Sequence, residues 1–356
     1  MLKSLALFSG LLLSSANVVA ETLQEQQVAF DKIVAANIYP VQFNNKKASG
    51  QGIDWLVEEG AKAQYFLVGE RHGLAEIPQI SSSIFAGLAK NNYNHAALEF
   101  GPFAASQLEL QLKKGGYTNL EKYLDSPIGA NSIAFLGWIE EAQMAAQMYQ
   151  DSSNKEDFIW GLDQEFLLAF PSYLAFLDKH SQKTKQKAAI VDIQAQLSKD
   201  KWLFTTLLPS EMLEFTDLFR DIKNSEVQDL LDAMVFSNKV YGPWAKPSRF
   251  SLAASNVIRE NYMKENFVKR VTQTRKKTGQ DPKVFFKFGG YHSAPDIDYV
   301  NGRVSLGTFV EAYARANGTT AFNLLMECFS GSNRTSGQDE GAETNQKQGC
   351  KSGYGT

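Results

Sequence analysis

Two histidines and several carboxylates directly follow or end short apolar runs in this 356-residue chain, which contains only four histidines. A histidine with a near-neutral pKa is a suitable general base for activating water, and a carboxylate bonded to it fixes its tautomer and stabilises its charged form. Two imidazoles with one or two carboxylates also make a donor set for a metal ion. The residues predicted to be catalytic, or to be the ligands if a metal is present, are His72, Glu70, Glu99 and His292.

Five apolar runs are the elements that must position these side chains. Each run is short and ends near glycine or polar residues, which is typical of a buried strand, and helical patterns separate them. The runs are 64–68, 96–100, 158–163, 283–290 and 321–326. Alternating strands and helices predict an α/β fold with a mainly parallel central sheet flanked by helices. Because ligands bind outside the carboxyl ends of such strands, we expect the predicted catalytic residues to converge there.

The domain organisation follows from changes in pattern along the chain. Residues 165–245 show apolar residues at helical spacing and predict a helical insertion over the C-terminal strand edge. We expect a single α/β domain over residues 21–330 that contains this insertion. Residues 331–356 are polar and predict a flexible tail. His95 precedes its apolar run, at the opposite end from the site, and is expected to be structural or exposed.

The N-terminus is typical of a secretory signal peptide over residues 1–20, with cleavage near Ala20. The chain is therefore expected to be periplasmic or secreted. In such a compartment Cys328 and Cys350, the only cysteines, are predicted to form a disulfide. No later segment has about 18 uninterrupted apolar residues, so we expect no membrane span in the mature chain.

Composition and absent motifs narrow the function classes. The net charge of −3 gives no general attraction for nucleic acid, and two cysteines cannot supply a four-cysteine zinc site. The chain contains no Gly-x-Ser-x-Gly motif, which disfavours an ordinary serine hydrolase. No Gly-x-Gly-x-x-Gly follows a strand, which disfavours a dinucleotide cofactor. We expect the partner to be a small-molecule substrate or ligand.

Short sequence blocks in a fixed order resemble the erythromycin esterase-like superfamily, which also includes haem-uptake proteins and Tiki-type metalloproteases. The blocks are Gly69-Glu70-Arg71-His72-Gly73, Ala97-Leu98-Glu99, Phe288-Gly289-Gly290-Tyr291-His292 and the stretch Ile258-Arg259-Glu260-Asn261-Tyr262-Met263-Lys264-Glu265-Asn266. The resemblance covers roughly residues 60–325 and implies an α/β fold with inserted helices and a deep cleft.

The esterase branch of that superfamily implies a role for each matched residue. His72 would be a general base that activates water without a metal, Glu70 would orient the site, and Glu99 would orient or assist His72. His292 would assist proton transfer or bind the oxyanion, and Arg259 would bind substrate or an anionic intermediate. Together with Arg259, the residues predicted to contact substrate are Arg71, Asp163 and Tyr291.

Three functions follow as hypotheses. The first is an exported hydrolase without a cofactor that attacks an ester or lactone carbonyl. The second is a metal-dependent hydrolase or peptidase of the Tiki type, since Gly69 to His72 also has that branch's spacing. The third is an uptake protein that binds haem or a metal in the same cleft. The first predicts that chelators leave turnover intact.

Overall fold

The computed structural model describes residues 25–298 and 302–327, together with two short paired segments at 332–333 and 348–349. The strands are β1 (Gln42–Asn44), β2 (Lys47–Ser49), β3 (Tyr65–Glu70), β4 (Tyr93–Leu98), β5 (Ile159–Gly161), β6 (Lys283–Gly289), β7 (Ile297–Asp298), β8 (Arg303–Val304), β9 (Ala321–Met326), β10 (Ser332–Asn333) and β11 (Gln348–Gly349). The helices are α1 (25–36), α2 (Gln51–Ala61), α3 (Glu76–Ala89), α4 (Pro102–Leu124), α5 (Ile139–Asp151), α6 (Phe170–His180), α7 (Thr184–Leu197), α8 (Leu203–Thr206), α9 (Pro209–Asp217), α10 (Ser225–Ala245), α11 (Arg249–Thr278), α12 (Gly290–Ser293) and α13 (Leu306–Ala316).

A five-stranded sheet forms the centre of the fold, in the order β5-β4-β6-β3-β9, with every neighbouring pair parallel. The predicted α/β fold with a parallel sheet is therefore confirmed. β6 enters the sheet between β3 and β4, although it follows them by more than 180 residues in the chain. This insertion brings the carboxyl ends of β3, β4 and β6 next to one another.

Helices cover both faces of the sheet, which explains why its central strands are almost continuously apolar. On one face, Phe66 of β3 stacks with Phe285 of β6, and the surrounding core includes residues of α3, α4 and α5. On the other face, Tyr65 packs edge-on against Phe267 of α11, and α13 adds Val310 to the same cluster. The long helix α11 is thereby fixed against the sheet.

β4 begins earlier than the apolar run indicated, so His95 lies inside the strand and not before it. The polar pair Asn94-His95 interrupts the run in sequence, yet His95 is buried in the structure. Its Nδ1 lies 2.9 Å from the carbonyl oxygen of Asp157, and its ring packs on Trp160. His95 is therefore a packing residue at the end of the sheet opposite to the site.

The predicted helical insertion is present between β5 and α11. A 3₁₀ turn at Leu167–Ala169 is followed by α6, α7, α8, α9 and α10. These helices enclose an apolar core of their own, whose largest fully buried members are Phe170, Tyr173, Phe204 and Phe219.

Several predictions fall outside the described residues. These are the signal peptide at residues 1–20, the cysteines Cys328 and Cys350, and most of the tail at 331–356, in which only the antiparallel pair β10–β11 is described. Export, the disulfide and the domain limits therefore stay predictions. Within the described ranges, no helix has both the length and the apolar character needed to cross a membrane.

Candidate active site

The site lies at the carboxyl ends of β3, β4 and β6, where the strand order brings the predicted residues together. Glu70 is the last residue of β3, and Glu99 follows the end of β4. His72 is two residues beyond β3, and His292 lies on the short helix α12 that directly follows β6. The four residues that the sequence placed in one cluster are neighbours in the structure, with contacts given below.

Glu70 anchors the first histidine. Its Oε1 lies 2.9 Å from His72 Nδ1 and accepts a hydrogen bond of 2.6 Å from Lys287 Nζ. Burial acts to raise the pKa of Glu70, but the charges of Lys287 and His72 outweigh it and lower that pKa. An ionised carboxylate only accepts hydrogen bonds, so Nδ1 of His72 carries a proton. The nitrogen that gains or loses a proton is therefore Nε2.

Lys287 extends the first cluster into α5. This buried lysine donates to both carboxylate oxygens of Glu141, at 2.7 and 2.9 Å, as well as to Glu70. Burial raises the pKa of Glu141 to about 7, despite the opposing charge of Lys287. Lys287 thus holds two carboxylates behind His72.

Glu99 lies between the two histidines. Its Oε2 is 3.6 Å from His72 Nε2, and its Oε1 is 3.6 Å from His292 Nε2. Oε2 also accepts a 2.5 Å hydrogen bond from the backbone N–H of Gly289, and Oε1 accepts a 3.0 Å bond from Arg259. Burial acts to raise the pKa of Glu99, but His72, His292 and Arg259 together lower it to about 2. Glu99 is a fixed negative charge at the centre of the site.

Arg259 is held by a second carboxylate, Asp163, which follows β5. Nε of Arg259 donates to both oxygens of Asp163, at 2.9 and 3.2 Å, and its terminal nitrogen donates to Asp163 as well. Asp163 also accepts the backbone N–H of Gln164 at 2.8 Å and is buried. Its position holds the guanidinium of Arg259 against Glu99.

The second histidine repeats the arrangement of the first. His292 Nδ1 lies 2.9 Å from Glu260 Oε1, as His72 Nδ1 does from Glu70. Glu260 accepts a further hydrogen bond of 3.4 Å from Arg303 and one of 2.8 Å from the backbone N–H of Leu306. Each histidine therefore has a buried carboxylate at Nδ1 and faces Glu99 with Nε2.

The two histidines differ in their exposure to solvent. The His72 side chain is 32% exposed, whereas that of His292 is 5% exposed. One face of the His72 ring stacks on Phe135, with ring centres 4.4 Å apart. Phe135 has a φ of 67°, a left-handed backbone conformation that bulky residues rarely adopt and that recurs at functional sites. His72 is therefore the histidine that a substrate can reach.

The carboxylates around His72 favour the protonated form of its ring. Among the described residues, three cations of the cluster, Lys287, Arg259 and Arg303, pair with buried carboxyl groups. These carboxyl groups are Glu70, Glu99, Glu141, Asp163 and Glu260. Burial acts to lower the pKa of His72, but Glu99 and Glu70 outweigh it and raise that pKa above its ordinary value. Nε2 of His72 can therefore take up a proton from a bound molecule and hold it, as general acid–base catalysis requires.

The other residues predicted to contact substrate, Arg71, Tyr291 and Asp163, differ in exposure and in their contacts. Arg71 is half-buried beside His72 and makes no hydrogen bond or ion pair with any described residue. Tyr291 is 49% exposed, and its ring lies against the guanidinium of Arg303. Asp163 is buried behind Arg259, so it positions that arginine rather than facing the cleft.

Several residues of the cluster were not predicted from the sequence. Lys287 stands within an apolar strand, where a lysine is rarely buried without a partner, and that anomaly is the clue the sequence offers. Glu260 appears in the sequence only inside the block that follows Ile258, directly after Arg259. Glu141 and Arg303 lie in segments with no motif, and only the fold reveals their position.

Within residues 25–298 and 302–327, no group of three or more histidine, cysteine, aspartate or glutamate side chains is arranged to hold a metal ion. The ligands predicted if a metal is present, His72, His292, Glu70 and Glu99, have the contacts described above, and metal dependence stays a prediction.

No protein-family model and no curated protein matches the chain. Among solved structures, it is similar to a mutant of the erythromycin esterase EreC in its open conformation, with 16% identity and a TM-score of 0.45 over 72% of this chain and 69% of that one. It is similar to a succinoglycan biosynthesis protein, with 16% identity and a TM-score of 0.47 over 78% and 70%. It is also similar to ChaN of Campylobacter jejuni, solved with cofacial haem, with 14% identity and a TM-score of 0.36 over 79% and 91%.

Proposed function

We propose that this chain is a hydrolase in which His72 activates water for attack on an ester or lactone carbonyl. The observation that supports it most is the position of His72. It is the exposed histidine of the array, Glu70 fixes its tautomer at 2.9 Å, and its Nε2 makes no hydrogen bond within the described part of the chain. Nε2 of His72 is therefore available to a bound water or substrate molecule.

The proposed reaction requires only the substrate, water and groups of the protein. Nε2 of neutral His72 takes a proton from water as the oxygen adds to the carbonyl carbon. The carbonyl oxygen becomes an oxyanion, and the nearby positive charge of Arg259 favours that charge. The carbon–oxygen bond then breaks, and His72 returns its proton to the leaving alcohol oxygen. Glu70 and Glu99 stabilise the imidazolium that exists between the two transfers.

Two features favour a carbonyl substrate attacked by water. Glu99 is held ionised at the centre of the site, which disfavours a polyanion such as a phosphate ester. In addition, none of the described serine hydroxyls is hydrogen-bonded to either site histidine, and Ser293 donates to the carbonyl of Val68. A serine activated by one of these histidines would need such a contact.

The test is hydrolysis of a panel of p-nitrophenyl esters and lactones by the purified protein, with and without a chelator. We expect turnover that the chelator does not change, and incorporation of one ¹⁸O atom into the acid product from labelled water. His72→Asn should lower kcat by about 10²–10⁴-fold, the usual contribution of a positioned general base.

His180→Asn is the matched control, because His180 bonds to the carbonyl of Phe176 within α6 and has no contact with the site. It should retain full turnover, and both variants should unfold thermally as the wild type does. Loss of turnover on chelation would replace the proposal with a metal-dependent hydrolase. A Soret band on haem addition, with no ester hydrolysed, would replace it with a haem-binding protein.

A further inference from the structure

A cavity of about 230 Å³ opens beside the site, at the N-terminal end of α11. Its lining residues are Arg249, Leu252, Ala253, Asn256, Tyr291 and Arg303. The four residues from α11 have the spacing of one helix face. The same face continues one turn later with Arg259 and Glu260, which belong to the candidate active site. The cavity therefore adjoins the site on the side of His292.

Arg303 brings a buried guanidinium to the wall of this cavity. Its terminal nitrogens donate to the carbonyl of Tyr291, to Glu260 and to Asp296, at 2.9, 3.4 and 2.6 Å. Its Nε has no hydrogen-bond partner among the described residues, although the residue is 2% exposed. Nε has almost no accessible surface, so Arg303 forms part of the cavity wall while its terminal nitrogens stay bonded to the protein.

Arg249 and the helix end add positive character. Arg249 is the first residue of the 30-residue helix α11, is exposed, and forms no ion pair with any described residue. The dipole of α11 adds positive potential at this end, where the N–H of Ser251 is already bonded to the Ser248 hydroxyl. Leu252 and Ala253 supply an apolar wall, and Asn256 supplies a further polar group.

We propose that this cavity binds a carboxylate of the substrate, so that the substrate class is an ester or lactone carrying a single carboxylate away from the scissile bond. The proposal rests on the hydrolase function proposed above. Two carboxylates, Glu260 and Asp296, already pair with Arg303, so Arg249 is the cation of the lining with no ion pair to a described residue, which favours one negative charge over a phosphate dianion. The apolar wall suits the carbon chain that joins the carboxylate to the ester.

The test compares two esters that differ only in the distal charge, p-nitrophenyl hydrogen adipate and p-nitrophenyl methyl adipate. The wild-type protein should prefer the acid by about tenfold in kcat/KM, mainly through a lower KM, as expected for one charge-assisted contact. Arg249→Gln should bring the ratio of the two esters close to one. Arg275→Gln, at the opposite end of α11 and paired with Asp281, is the matched control and should keep the ratio.

Binding of adipamate, measured by calorimetry at low ionic strength, separates this proposal from the hydrolase function. If no ester is hydrolysed but adipamate binds the wild type and not Arg249→Gln, the cavity assignment stands and the hydrolase proposal fails. Equal kcat/KM for the two esters in the wild type, or a ratio that Arg249→Gln leaves unchanged, overturns the cavity assignment. If no ester is hydrolysed, absence of adipamate binding overturns it.

Discussion

His72 and His292 have nearly the same partners but different surroundings. Each has a carboxylate 2.9 Å from Nδ1 and a shared carboxylate, Glu99, 3.6 Å from Nε2. A separation of 3.6 Å is longer than a hydrogen bond, so Glu99 stabilises charge on either ring without occupying its Nε2. The exposed ring suits proton exchange with substrate, and the buried ring suits a fixed electrostatic role beside Glu99.

Gly289 gives a prediction at the scale of a single residue, because a Cβ at this position would press on His72. A Cβ at this position would lie 2.8 Å from His72 Nε2 and 3.4 Å from Glu99 Oε2. Its backbone, with φ of −54°, is open to alanine, so the effect of Gly289→Ala is a steric displacement of His72. We expect kcat/KM on the best ester to fall by about 10²-fold, as for a catalytic group displaced by about 1 Å.

Gly290→Ala is the neighbouring control. A Cβ there would meet the carbonyl oxygen of Glu70 at 3.6 Å, which is ordinary contact. It should keep most of the activity in the same ester assay. Equal losses in the two variants would show that the segment as a whole, and not the position of His72, controls turnover.

The sequence identified the residues of this site whose types stand out from their surroundings. Glu70, His72, Glu99 and His292 each break an apolar or glycine-rich pattern at a predicted strand end. Glu141 does not stand out, since an acidic residue in the first turn of a helix is common on a solvated surface. Its pairing with Lys287 depends on how α5 packs on the sheet, which no local pattern encodes.

At the level of elements, the position of β6 decides which side chains meet. The apolar runs and the alternation with helices predicted the strands and their parallel direction. The strand order was not predictable, because a long crossover such as the one from β5 to β6 is compatible with several neighbouring positions in the sheet. With β6 between β3 and β4, the end of each strand contributes to one cleft.

The N-terminus of α4 depends on a buried carboxylate from the loop after β5. Glu165 accepts hydrogen bonds from the backbone N–H groups of Phe103 at 2.7 Å and Ala104 at 3.4 Å. Gly101 leaves the space for it, because a Cβ there would lie 2.2 Å from the carboxyl carbon of Glu165. Glu165→Ala should lower the free energy of unfolding in urea by about 1–2 kcal/mol, the cost of a lost helix cap.

Glu156→Ala is the control for this prediction, because Glu156 is an acidic side chain that is 74% exposed and paired only with surface Lys113. Its removal should change the free energy of unfolding by less than about 0.5 kcal/mol. A similar loss in both variants would contradict the capping role of Glu165.

Across the whole molecule, the ionic cluster joins the sheet to α5, α11 and α12, so its protonation affects global stability. Folding lowers the pKa of Glu99 from 4.5 to about 2. A carboxyl group whose pKa is lowered on folding stabilises the protein above its unfolded pKa, and this contribution is lost as the pH falls through the folded pKa. For Glu99 the loss amounts to about 3 kcal/mol between pH 5 and pH 2.

Glu99→Gln should therefore flatten the dependence of the unfolding free energy on pH between 5 and 2. The measurement is urea unfolding at several pH values, and the slope with pH is compared rather than the absolute stability. The exposed Glu156→Gln should retain the wild-type slope. A slope unchanged in Glu99→Gln would contradict the lowered pKa of Glu99.

Activation of water by His72, held by Glu70, is best tested by the pH dependence of kcat/KM in the wild type and in Glu70→Gln. The glutamine can still accept the hydrogen bond from Nδ1, but it removes a charge that raises the pKa of His72. We predict that the acid limb of the profile moves to lower pH in Glu70→Gln. The limb should follow the pKa of His72 measured by NMR in the same protein. If the NMR titration of His72 moves and the acid limb does not, another group is the base and His72 does not activate the water.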